Sequence, residues 1–520
     1  MKRKYSYKAG DKLIEREYMY IPARYVFSII LIILEVAAVV ASVAVLCYYV
    51  PYFYLAALAT EVVCVVRICS SDDNPEYKVP WLLVVLLLPV AGFMLYFLFY
   101  KRTLDRSLVK RLKSQKKYDY AYDDYENLFR LAERYPDGAK VARVLSKISG
   151  AKVFDGGKQE YFPLGEAKWD RLLSDLESAQ TFIYLEYFII EEGEFWNSIL
   201  DVIRRKAAEG VDVRLVYDDF GCMTTLPADY DKQLKRFGIH ARPFARLKPS
   251  ADGEFNNRSH RKIAVIDGKI GYTGGINLAD EYVNRIVRFG HWKDTAVRLE
   301  GRAVWELTRL FLSDFGFAAP GELPVNYELY PEPLCHGKGF VIPFGDGPRP
   351  VYKREAAKST IMSIITSAKR YVYVTTPYLI IDNDMCTALE HAALGGVDVR
   401  IILPHVPDKK LVLEISRSYY PRLMRAGVRI YEYTPGFIHS KVYLSDDGVA
   451  MVGTVNMDYR SLVHHFECAA LLYGCECIPD IRKDLDATLA ASAEITEEDT
   501  RVSLPRRMLR AVVRVFSTLL

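Results

Sequence analysis

The sequence predicts an α/β protein made of two fused α/β repeats with mixed sheets, preceded by N-terminal transmembrane helices. Three observations predict this class. The segment GVDVRLV at 210–216 recurs as GVDVRII at 396–402, each copy following an apolar strand and a helical stretch (182–190 and 195–209; 371–381 and 385–394). From about residue 140, short β-rich apolar runs alternate with amphipathic helical stretches, which is typical of α/β architecture. Residues 25–100 are far more apolar than the rest.

Length and composition narrow the possible functions. The chain has 520 residues, enough for two or three domains, and a formal net charge of +4. So mild a charge does not indicate a nucleic-acid-binding protein, whose domains usually carry a strongly basic face. The nine cysteines show no paired CxxC spacing with histidine partners, so we interpret them as reduced structural thiols. Cys475 and Cys477 lie close together, but no second ligand pair accompanies them.

The N-terminal part divides by charge and hydropathy. A basic tail, 1–24, precedes a membrane-spanning region, 25–100, which contains apolar stretches at 25–50, 52–66 and 81–99. About 20 apolar residues cross a bilayer, so the first and third stretches are long enough and the second is marginal. A basic linker, 101–139, follows.

The distribution of basic residues sets the expected orientation. Seven Lys/Arg lie in the tail and eight between 101 and 117, whereas the loop that follows Arg67, at the end of the second apolar stretch, carries only Lys78. The positive-inside rule places both basic ends in the cytoplasm, which requires an even number of crossings. Either the 52–66 stretch does not fully cross, or one basic end lies outside. We expect a multi-pass protein of the cell membrane with a cytoplasmic C-terminal part, and the number of crossings stays open.

The remaining chain comprises the two repeats and a C-terminal helix. The first repeat occupies 140–330 and the second 331–500. Arginines and apolar residues alternate at helical spacing in 501–520. This pattern predicts a basic amphipathic helix lying on anionic membrane lipid, and a helix packed against the protein is the alternative.

A His-x-Lys-x4-Asp motif occurs once in each repeat. The two copies consist of His260, Lys262 and Asp267, and of His439, Lys441 and Asp446. An asparagine follows each copy at the same offset, Asn277 in the first repeat and Asn456 in the second. One such match is more often a surface strand pair, whereas two matches at equal offsets indicate a site.

The motif suits attack on a phosphodiester. A histidine and a lysine two residues apart on a strand project from the same face. The imidazole can act as nucleophile while the lysine and the asparagine hold the non-bridging oxygens. A second imidazole can protonate the leaving oxygen and then activate the incoming alcohol. Two copies of the motif are therefore expected to form one site.

Two further acidic residues are candidates for orienting the histidines. A nucleophilic imidazole needs a carboxylate on its other nitrogen, which fixes the tautomer and stabilises the imidazolium. Asp294 follows the first motif and Glu467 follows the second. A structural ion pair is the alternative for each. Asp267 and Asp446 are expected at strand ends, where they orient loops.

These residues resemble the phospholipase D superfamily, and the rest of the chain narrows the resemblance to the bacterial cardiolipin synthases. Matching stretches run from about residue 70 to the C terminus and include RSHRK at 258–262, GGIN at 274–277, TPY at 376–378, GFIH at 436–439 and NMDYRS at 456–461. The resemblance implies two phospholipase-D-like repeats. It also implies transfer of a phosphatidyl group between two phosphatidylglycerol molecules through a phosphohistidine, giving cardiolipin and glycerol without a metal or other cofactor.

The resemblance also implies roles for individual residues. His260 corresponds to the nucleophile and His439 to the acid and base. Thr454 stands where the family often has serine, and with Asn277 and Asn456 it is a predicted ligand of the substrate phosphate.

The sequence departs from the family pattern at two places. Gly275, at the position that matches Thr454, has no hydroxyl group. His464 and His465 replace a more usual leucine–asparagine pair, so the role of that asparagine is unfilled.

Three other functions share some of these features. A nucleic-acid phosphodiesterase would use the same motifs, but the apolar N-terminal stretches argue against it. A lipid hydrolase, or a transferase to another headgroup alcohol such as serine or ethanolamine, would differ only in the acceptor pocket. A degenerate scaffold is disfavoured because both motifs are intact. The acceptor preference and the oligomeric state stay open.

Overall fold

The computed structural model describes residues 2–9, 12–19, scattered helical positions between 30 and 48, 51–100 without Pro89, 124–246 without Gly156, 257–318 and 337–519. The helices are α1 (Pro51–Ser70), α2 (Pro75–Leu87), α3 (Ala91–Phe99), α4 (Tyr125–Arg134), α5 (Pro136–Ser149), α6 (Gly165–Glu177), α7 (Glu194–Ala208), α8 (Tyr230–Lys235), α9 (Val304–Ala318), α10 (Ala356–Ser367), α11 (Asn383–Leu394), α12 (Lys410–Arg425), α13 (Ile478–Ala490) and α14 (Leu504–Phe516).

The strands, in chain order, are β1 (Lys2–Ala9), β2 (Lys12–Met19), β3 (Phe154–Asp155), β4 (Lys158–Phe162), β5 (Phe182–Tyr187), β6 (Asp212–Asp218), β7 (His240–Phe244), β8 (Ile263–Ile266), β9 (Ile270–Gly274), β10 (His291–Lys293), β11 (Ala296–Glu300), β12 (Phe340–Asp346), β13 (Tyr371–Thr375), β14 (Leu379–Ile380), β15 (Asp398–Pro404), β16 (Arg429–Tyr433), β17 (Gly436–Ile438), β18 (Val442–Ser445), β19 (Val449–Gly453), β20 (Met457–Asp458), β21 (Glu467–Tyr473) and β22 (Ser492–Glu494).

Two mixed sheets repeat the same strand order. The first sheet runs β7-β6-β5-β8-β9-β11-β4, and the second runs β22-β16-β15-β13-β18-β19-β21-β12-β3. Apart from the edge strands β22 and β3, the two orders correspond strand by strand. The first three matched strands of each sheet are parallel and the others antiparallel. The prediction of two α/β repeats with mixed sheets is therefore confirmed.

Helices connect the parallel strands, because such strands need a crossover connection. Helix α7 joins β5 to β6, and α11 lies at the matching place before β15. The repeated segments at 210–216 and 396–402 form most of β6 and β15. Strand β6 pairs with β5 from Phe182 onward, and β15 pairs with β13 from Tyr371 onward, in the same register.

The two sheets pack face to face around a shared core. Along β5, Tyr184 points into a core that also contains Val442 and Tyr373 of the second repeat. Its neighbour Leu185 points to the opposite face and packs with Trp196 of α7. Side chains alternate along a strand, so each sheet has one face toward its partner sheet and one toward helices. The core between the two sheets is consequently buried and largely apolar.

The N-terminal region is only partly described. Strands β1 and β2 form an antiparallel hairpin within the predicted basic tail. Most of the predicted 25–50 span lies outside the described residues, whereas α1 covers the 52–66 stretch. Within the described part of the chain, none of the helices combines the length and the hydropathy needed to span a bilayer.

The predicted span 81–99 is not one helix. Helix α2 ends at Leu87 and α3 begins at Ala91. Val90 has a positive φ of 69°, and a Cβ added to Gly92 would lie 2.2 Å from the carbonyl oxygen of Val84. The chain therefore makes a tight turn that only a residue without a side chain allows at Gly92. Each of the two helices is shorter than the roughly 20 residues that cross a bilayer.

The N-terminal helices contact the second repeat. The Asn74 amide donates to Asp382 Oδ2 at 2.8 Å, and the Tyr459 hydroxyl donates to Glu76 Oε2 at 3.3 Å. The start of α2 therefore packs close to the chain segment that follows Asn456.

Two of the predicted boundaries can be compared with the described elements. Residues 101–123 of the predicted linker lie outside the described part, but from Tyr125 onward the chain forms α4 and α5, which bury Leu131 and Leu145. Strand β3 then pairs with β12 at the edge of the second sheet, so the segment 125–155 packs with the second repeat rather than linking to the first. The first sheet begins with β4, after the predicted boundary at 140.

The C-terminal helix is present as α14. One side packs on α12, where Glu414 binds both Arg506 and Arg510. Leu504 and Leu509 stay largely exposed on another side. The helix thus has a packed side, as the alternative interpretation required, and an exposed apolar side.

Candidate active site

The two His-x-Lys segments lie at the interface between the repeats. Each segment ends where a central strand begins, β8 at Ile263 and β18 at Val442. The residue pattern predicted these histidines and lysines within strands, whereas the structure places them in extended chain just before the strands. They pair there with the opposite repeat rather than with their own sheet.

Backbone hydrogen bonds tie each segment to the other repeat. The His260 N–H donates to the carbonyl of Phe466 at 2.8 Å, and the His439 N–H donates to the carbonyl of Lys293 at 2.7 Å. Strands β10 and β17 extend the second contact as a short parallel ladder. Phe466 and Lys293 immediately precede Glu467 and Asp294, so the backbone pairing delivers each carboxylate to the opposite histidine.

Each histidine contacts a carboxylate from the other repeat. His260 Nδ1 lies 2.9 Å and 3.0 Å from the two oxygens of Glu467, and His439 Nδ1 lies 2.6 Å from Asp294 Oδ2. Both carboxylates are fully buried. Since Nδ1 is occupied in both rings, Nε2 is the nitrogen left for a substrate.

The two lysines are buried next to these pairs. Lys262 Nζ donates to the carbonyl of His260 at 2.7 Å, and Lys441 Nζ donates to the carbonyl of His439. Burial lowers the pKa of Lys262 to about 7 and that of Lys441 to about 8, although Glu467 and Asp294 favour the charged forms. Repulsion between the two ammonium groups adds to the effect on Lys262, so both lysines belong to one electrostatic site.

Burial also lowers the pKa values of the two histidines. It lowers the pKa of His439 to about 4, with Lys441 acting in the same direction against Asp294. It likewise lowers the pKa of His260 well below its ordinary value, against the attraction of Glu467. Burial alone would raise the pKa of Glu467, but contact with His260 holds that pKa below its usual range. The resting site thus combines a neutral His439 with an ionised Glu467 that faces His260.

The motif aspartates lie away from the histidines. Asp267 follows β8 and accepts hydrogen bonds from the backbone of Gln180, Thr181 and Phe182 at 2.8–2.9 Å. Asp446 follows β18 and accepts the matching three from the backbone ahead of and at the start of β13 (Lys369, Arg370 and Tyr371). Both positions have a positive φ. These aspartates fix the strand ends, as expected.

The three predicted phosphate ligands differ in their hydrogen-bond partners. Asn277 accepts from the backbone N–H of Ile189 at 3.0 Å and donates to the Tyr282 hydroxyl at 2.8 Å. The Oδ1 atom of Asn456 is buried and has no hydrogen-bond partner among the described residues. The Thr454 hydroxyl donates to Glu467, so its proton serves the carboxylate.

Two residues beside Glu467 were not predicted as site residues. The Ser461 hydroxyl donates to Glu467 Oε1 at 2.6 Å. The His465 ring lies 5.4 Å from that of His260, centroid to centroid, and its buried Nδ1 has no hydrogen-bond partner among the described residues. Ser461 lies in the stretch NMDYRS, which contributed to the family resemblance. Its distance along the sequence from the His-x-Lys motif did not indicate that it contacts Glu467.

The position of Gly275 explains the missing hydroxyl in the first repeat. A Cβ there would lie 2.0 Å from Asp294 Oδ1. The same oxygen accepts from the backbone N–H of Thr295 at 2.8 Å. Glycine is therefore required for Asp294 to reach His439.

One group in the described part of the chain could hold a metal ion. Ligand atoms of His260, His465 and Glu467 all lie within 4.8 Å of one another. Glu467 already accepts hydrogen bonds there, and the expectation of a reaction without a metal stays a prediction.

Comparison with known proteins identifies the family of the chain. The chain matches the family model described as "Cardiolipin synthase, PLD-like domain" over 172–289 and 361–489, and the one described as "Phospholipase_D-nuclease N-terminal" over 62–99. A phosphatidylserine synthase structure from Haemophilus influenzae Rd KW20 has a TM-score of 0.58 at 13% identity, covering 74% of this chain and 100% of that one. This structural likeness supports the fold alone.

Relatives extend the match to nearly the whole chain. An uncharacterized protein of Streptococcus mutans serotype c is 40% identical over 468 residues, which is 88% of this chain and 99% of that protein. A cardiolipin synthase of Halalkalibacterium halodurans is 34% identical over 473 residues, covering 86% of this chain and 90% of its own length. The crossed histidine–carboxylate pairs thus stand in a chain that belongs to the cardiolipin synthases of the phospholipase D superfamily.

Proposed function

We propose that this chain transfers a phosphatidyl group from one phosphatidylglycerol to the glycerol hydroxyl of another, giving cardiolipin and free glycerol. The observation that carries the proposal is the crossed pairing of His260 with Glu467 and of His439 with Asp294. Such a pair of oriented imidazoles can serve both sides of an in-line displacement at phosphorus.

The first step forms a covalent intermediate. His260 Nε2 attacks the phosphorus of the first phosphatidylglycerol, so a P–N bond forms as the P–O bond to glycerol breaks. His439 donates its Nε2 proton to the departing glycerol oxygen. Its pKa of about 4 leaves it neutral in the resting site, and the negative charge of the arriving phosphodiester raises that pKa, since an adjacent anion favours the imidazolium.

The second step uses the same groups in reverse. His439, now neutral, accepts the proton of the incoming glycerol hydroxyl, whose oxygen attacks phosphorus. A P–O bond forms as the P–N bond breaks, which regenerates His260. Exclusion of water from the buried site favours transfer over hydrolysis.

The remaining residues support these steps. Lys262, Lys441 and Asn456 are proposed to hold the non-bridging oxygens, and the unpartnered Oδ1 of Asn456 indicates an amide able to reorient toward a ligand. Asn277 has the matching role in the first repeat. Thr454 is proposed to influence the phosphate indirectly, by its hydrogen bond to Glu467. Its hydroxyl proton is already donated to that carboxylate.

Membrane attachment belongs to the same proposal. Phosphatidylglycerol resides in the bilayer, and the apolar stretches at 25–50, 52–66 and 81–99 are proposed to hold the enzyme at the cell membrane with its catalytic part in the cytoplasm. Cysteine labelling at Lys78 and at Lys101 from either side of intact cells tests this topology.

The reaction is tested with the full-length protein in detergent and phosphatidylglycerol as the sole substrate. We expect cardiolipin and glycerol in equal amounts, and a radiolabelled phosphatidyl group on His260 after a rapid quench in denaturing detergent at neutral pH, because the P–N bond is cleaved in acid. Phosphatidic acid as the sole lipid product would identify a hydrolase instead. Preferential transfer to added serine or ethanolamine would assign a different acceptor.

A further inference from the structure

A large basic cavity lies outside the candidate active site. It measures about 830 Å³ and is formed by α2, α12, α14 and the chain just before α14. None of the proposed catalytic residues lines it.

The lining is strongly cationic. Its arginines are Arg422, Arg425, Arg501, Arg507, Arg510 and Arg514, and Glu76 is the one acidic residue among the described lining residues. Carboxylates outside the cavity neutralise two of the arginines, Glu390 binding Arg422 and Glu414 binding Arg510.

The other four arginines keep their charge available. Within the described part of the chain, no carboxylate oxygen lies within 4.0 Å of Arg425, Arg501, Arg507 or Arg514. Arg514 stacks over the ring of Tyr419 at 4.1 Å, which fixes its position in the cavity wall. Guanidinium groups grouped around one cavity are the usual protein ligands of phosphate.

Helix α14 has an exposed apolar side next to the side that lines the cavity. On α14, Leu504, Met508, Leu509 and Val512 are between 54% and 68% exposed. They lie at helical spacing on a side distinct from Arg507, Ala511 and Arg514, which line the cavity. A helix with one exposed apolar side next to a basic one is typical of a surface that lies in the lipid headgroup layer.

We propose that this cavity binds the phosphate headgroup of an anionic phospholipid at a site separate from the catalytic one, with the exposed side of α14 in the acyl boundary. The unpaired arginines supply the phosphate contacts. The exposed apolar side of α14 favours a lipid over a free phosphate ion, because an ion would leave those side chains in water.

The test places a photoreactive benzoylphenylalanine at Ala511 of the full-length protein in detergent. The protein is illuminated with equal amounts of phosphatidylglycerol and phosphatidylcholine, and mass spectrometry identifies the lipid that is captured. We expect at least tenfold more phosphatidylglycerol than phosphatidylcholine. Capture needs no turnover, so the result is independent of the proposed reaction.

Matched variants make the test specific. Replacing the three exposed cavity arginines together, Arg425→Gln, Arg501→Gln and Arg507→Gln, is expected to reduce phosphatidylglycerol capture at least tenfold. Replacing three exposed basic residues of the first repeat, Lys232→Gln, Lys235→Gln and Arg236→Gln, is expected to leave it unchanged. Native mass spectrometry of lipids retained per chain provides a second measurement that does not depend on the label.

Three results would overturn the proposal. These are equal capture of the two lipids, equal losses in the two triple variants, and displacement of the lipid by millimolar inorganic phosphate. The last result would assign the cavity to a free anion rather than to a lipid.

Discussion

The two halves of the active site share a plan but differ in how firmly each carboxylate is held. On the His260 side, Glu467 contacts the imidazole with both oxygens and also accepts from the hydroxyls of Thr454 and Ser461. On the His439 side, Asp294 uses one oxygen for the imidazole and the other for the backbone N–H of Thr295. The His439 side has Gly275 at the position where the His260 side has the Thr454 hydroxyl.

We propose that this difference gives the two histidines different tasks. A carboxylate with several donors keeps its negative charge and is a strong partner for a lasting cation. A phosphohistidine carries that positive charge for the lifetime of the intermediate, which suits His260 beside Glu467. An acid and base must gain and lose its proton in each cycle, which suits the simpler pairing of His439 with Asp294.

Removing either histidine should have the largest effect. We expect His260→Ala and His439→Ala each to lower kcat by at least about 10⁴-fold, because nucleophile and acid act as a unit. A phosphatidyl ester of p-nitrophenol separates the two roles, since this leaving group needs little protonation. His439→Ala should still release a burst of p-nitrophenol, whereas His260→Ala should not. A burst in His260→Ala alone would reverse the assignment.

Replacing the carboxylates should have the next largest effect on kcat. Glu467→Gln keeps the shape but removes the charge, and we expect kcat to fall about 10³- to 10⁴-fold, as for the aspartate of a catalytic triad. Asp294→Asn should cost less, about 10²-fold, because its histidine is charged only transiently. Steady-state cardiolipin synthesis measures both variants, and trapping of the labelled intermediate locates the step. A larger loss in Asp294→Asn than in Glu467→Gln would contradict the comparison.

We expect the two lysines to have a smaller effect on catalysis than the carboxylates, and one that depends on pH. With pKa values lowered to about 7 for Lys262 and about 8 for Lys441, both are charged below these values and neutral above them. We therefore expect kcat/KM to be highest below about pH 7 and to fall as the pH rises through 7 to 8, since neutral lysines hold phosphate poorly. Lys262→Arg should lower the maximum rate but shift the alkaline fall upward, because a guanidinium stays protonated.

The control for this profile is Lys369→Arg, an exposed lysine beside Asp446, which should leave the profile unchanged. An alkaline fall that stays in place in both Lys262→Arg and Lys441→Arg would show that other groups cause it.

The motif aspartates should affect catalysis least. Asp267→Asn and Asp446→Asn each weaken a set of backbone hydrogen bonds at a strand end. We expect each to lower the free energy of unfolding by about 1–3 kcal/mol while kcat changes by less than about threefold. Thermal denaturation and cardiolipin synthesis by the same preparation check this. A kcat loss as large as that of Glu467→Gln would return these residues to the catalytic set.

Much of the fold and site was predictable because the chain repeats itself. The segments at 210–216 and 396–402 occupy equivalent strands, and the two motifs end at equivalent strands. The helical break after Leu87 was not predicted, since hydropathy measures the length of an apolar stretch and not its turns. Helices α4 and α5 were also not predicted. The basic composition of 101–117 suggested a linker that continued to residue 139, although this part of the chain contains the buried Leu131.

The sequence by itself determined the paired motifs, the two candidate carboxylates and the α/β repeats, because these depend on residue type and short spacing. Only the tertiary structure decided that Glu467 serves His260 and that Asp294 serves His439. Each contact joins residues more than 140 positions apart and depends on which backbone segments pair across the repeat interface. It likewise decided that Gly275 makes room for Asp294, since the clash that forbids a side chain there comes from a distant strand end.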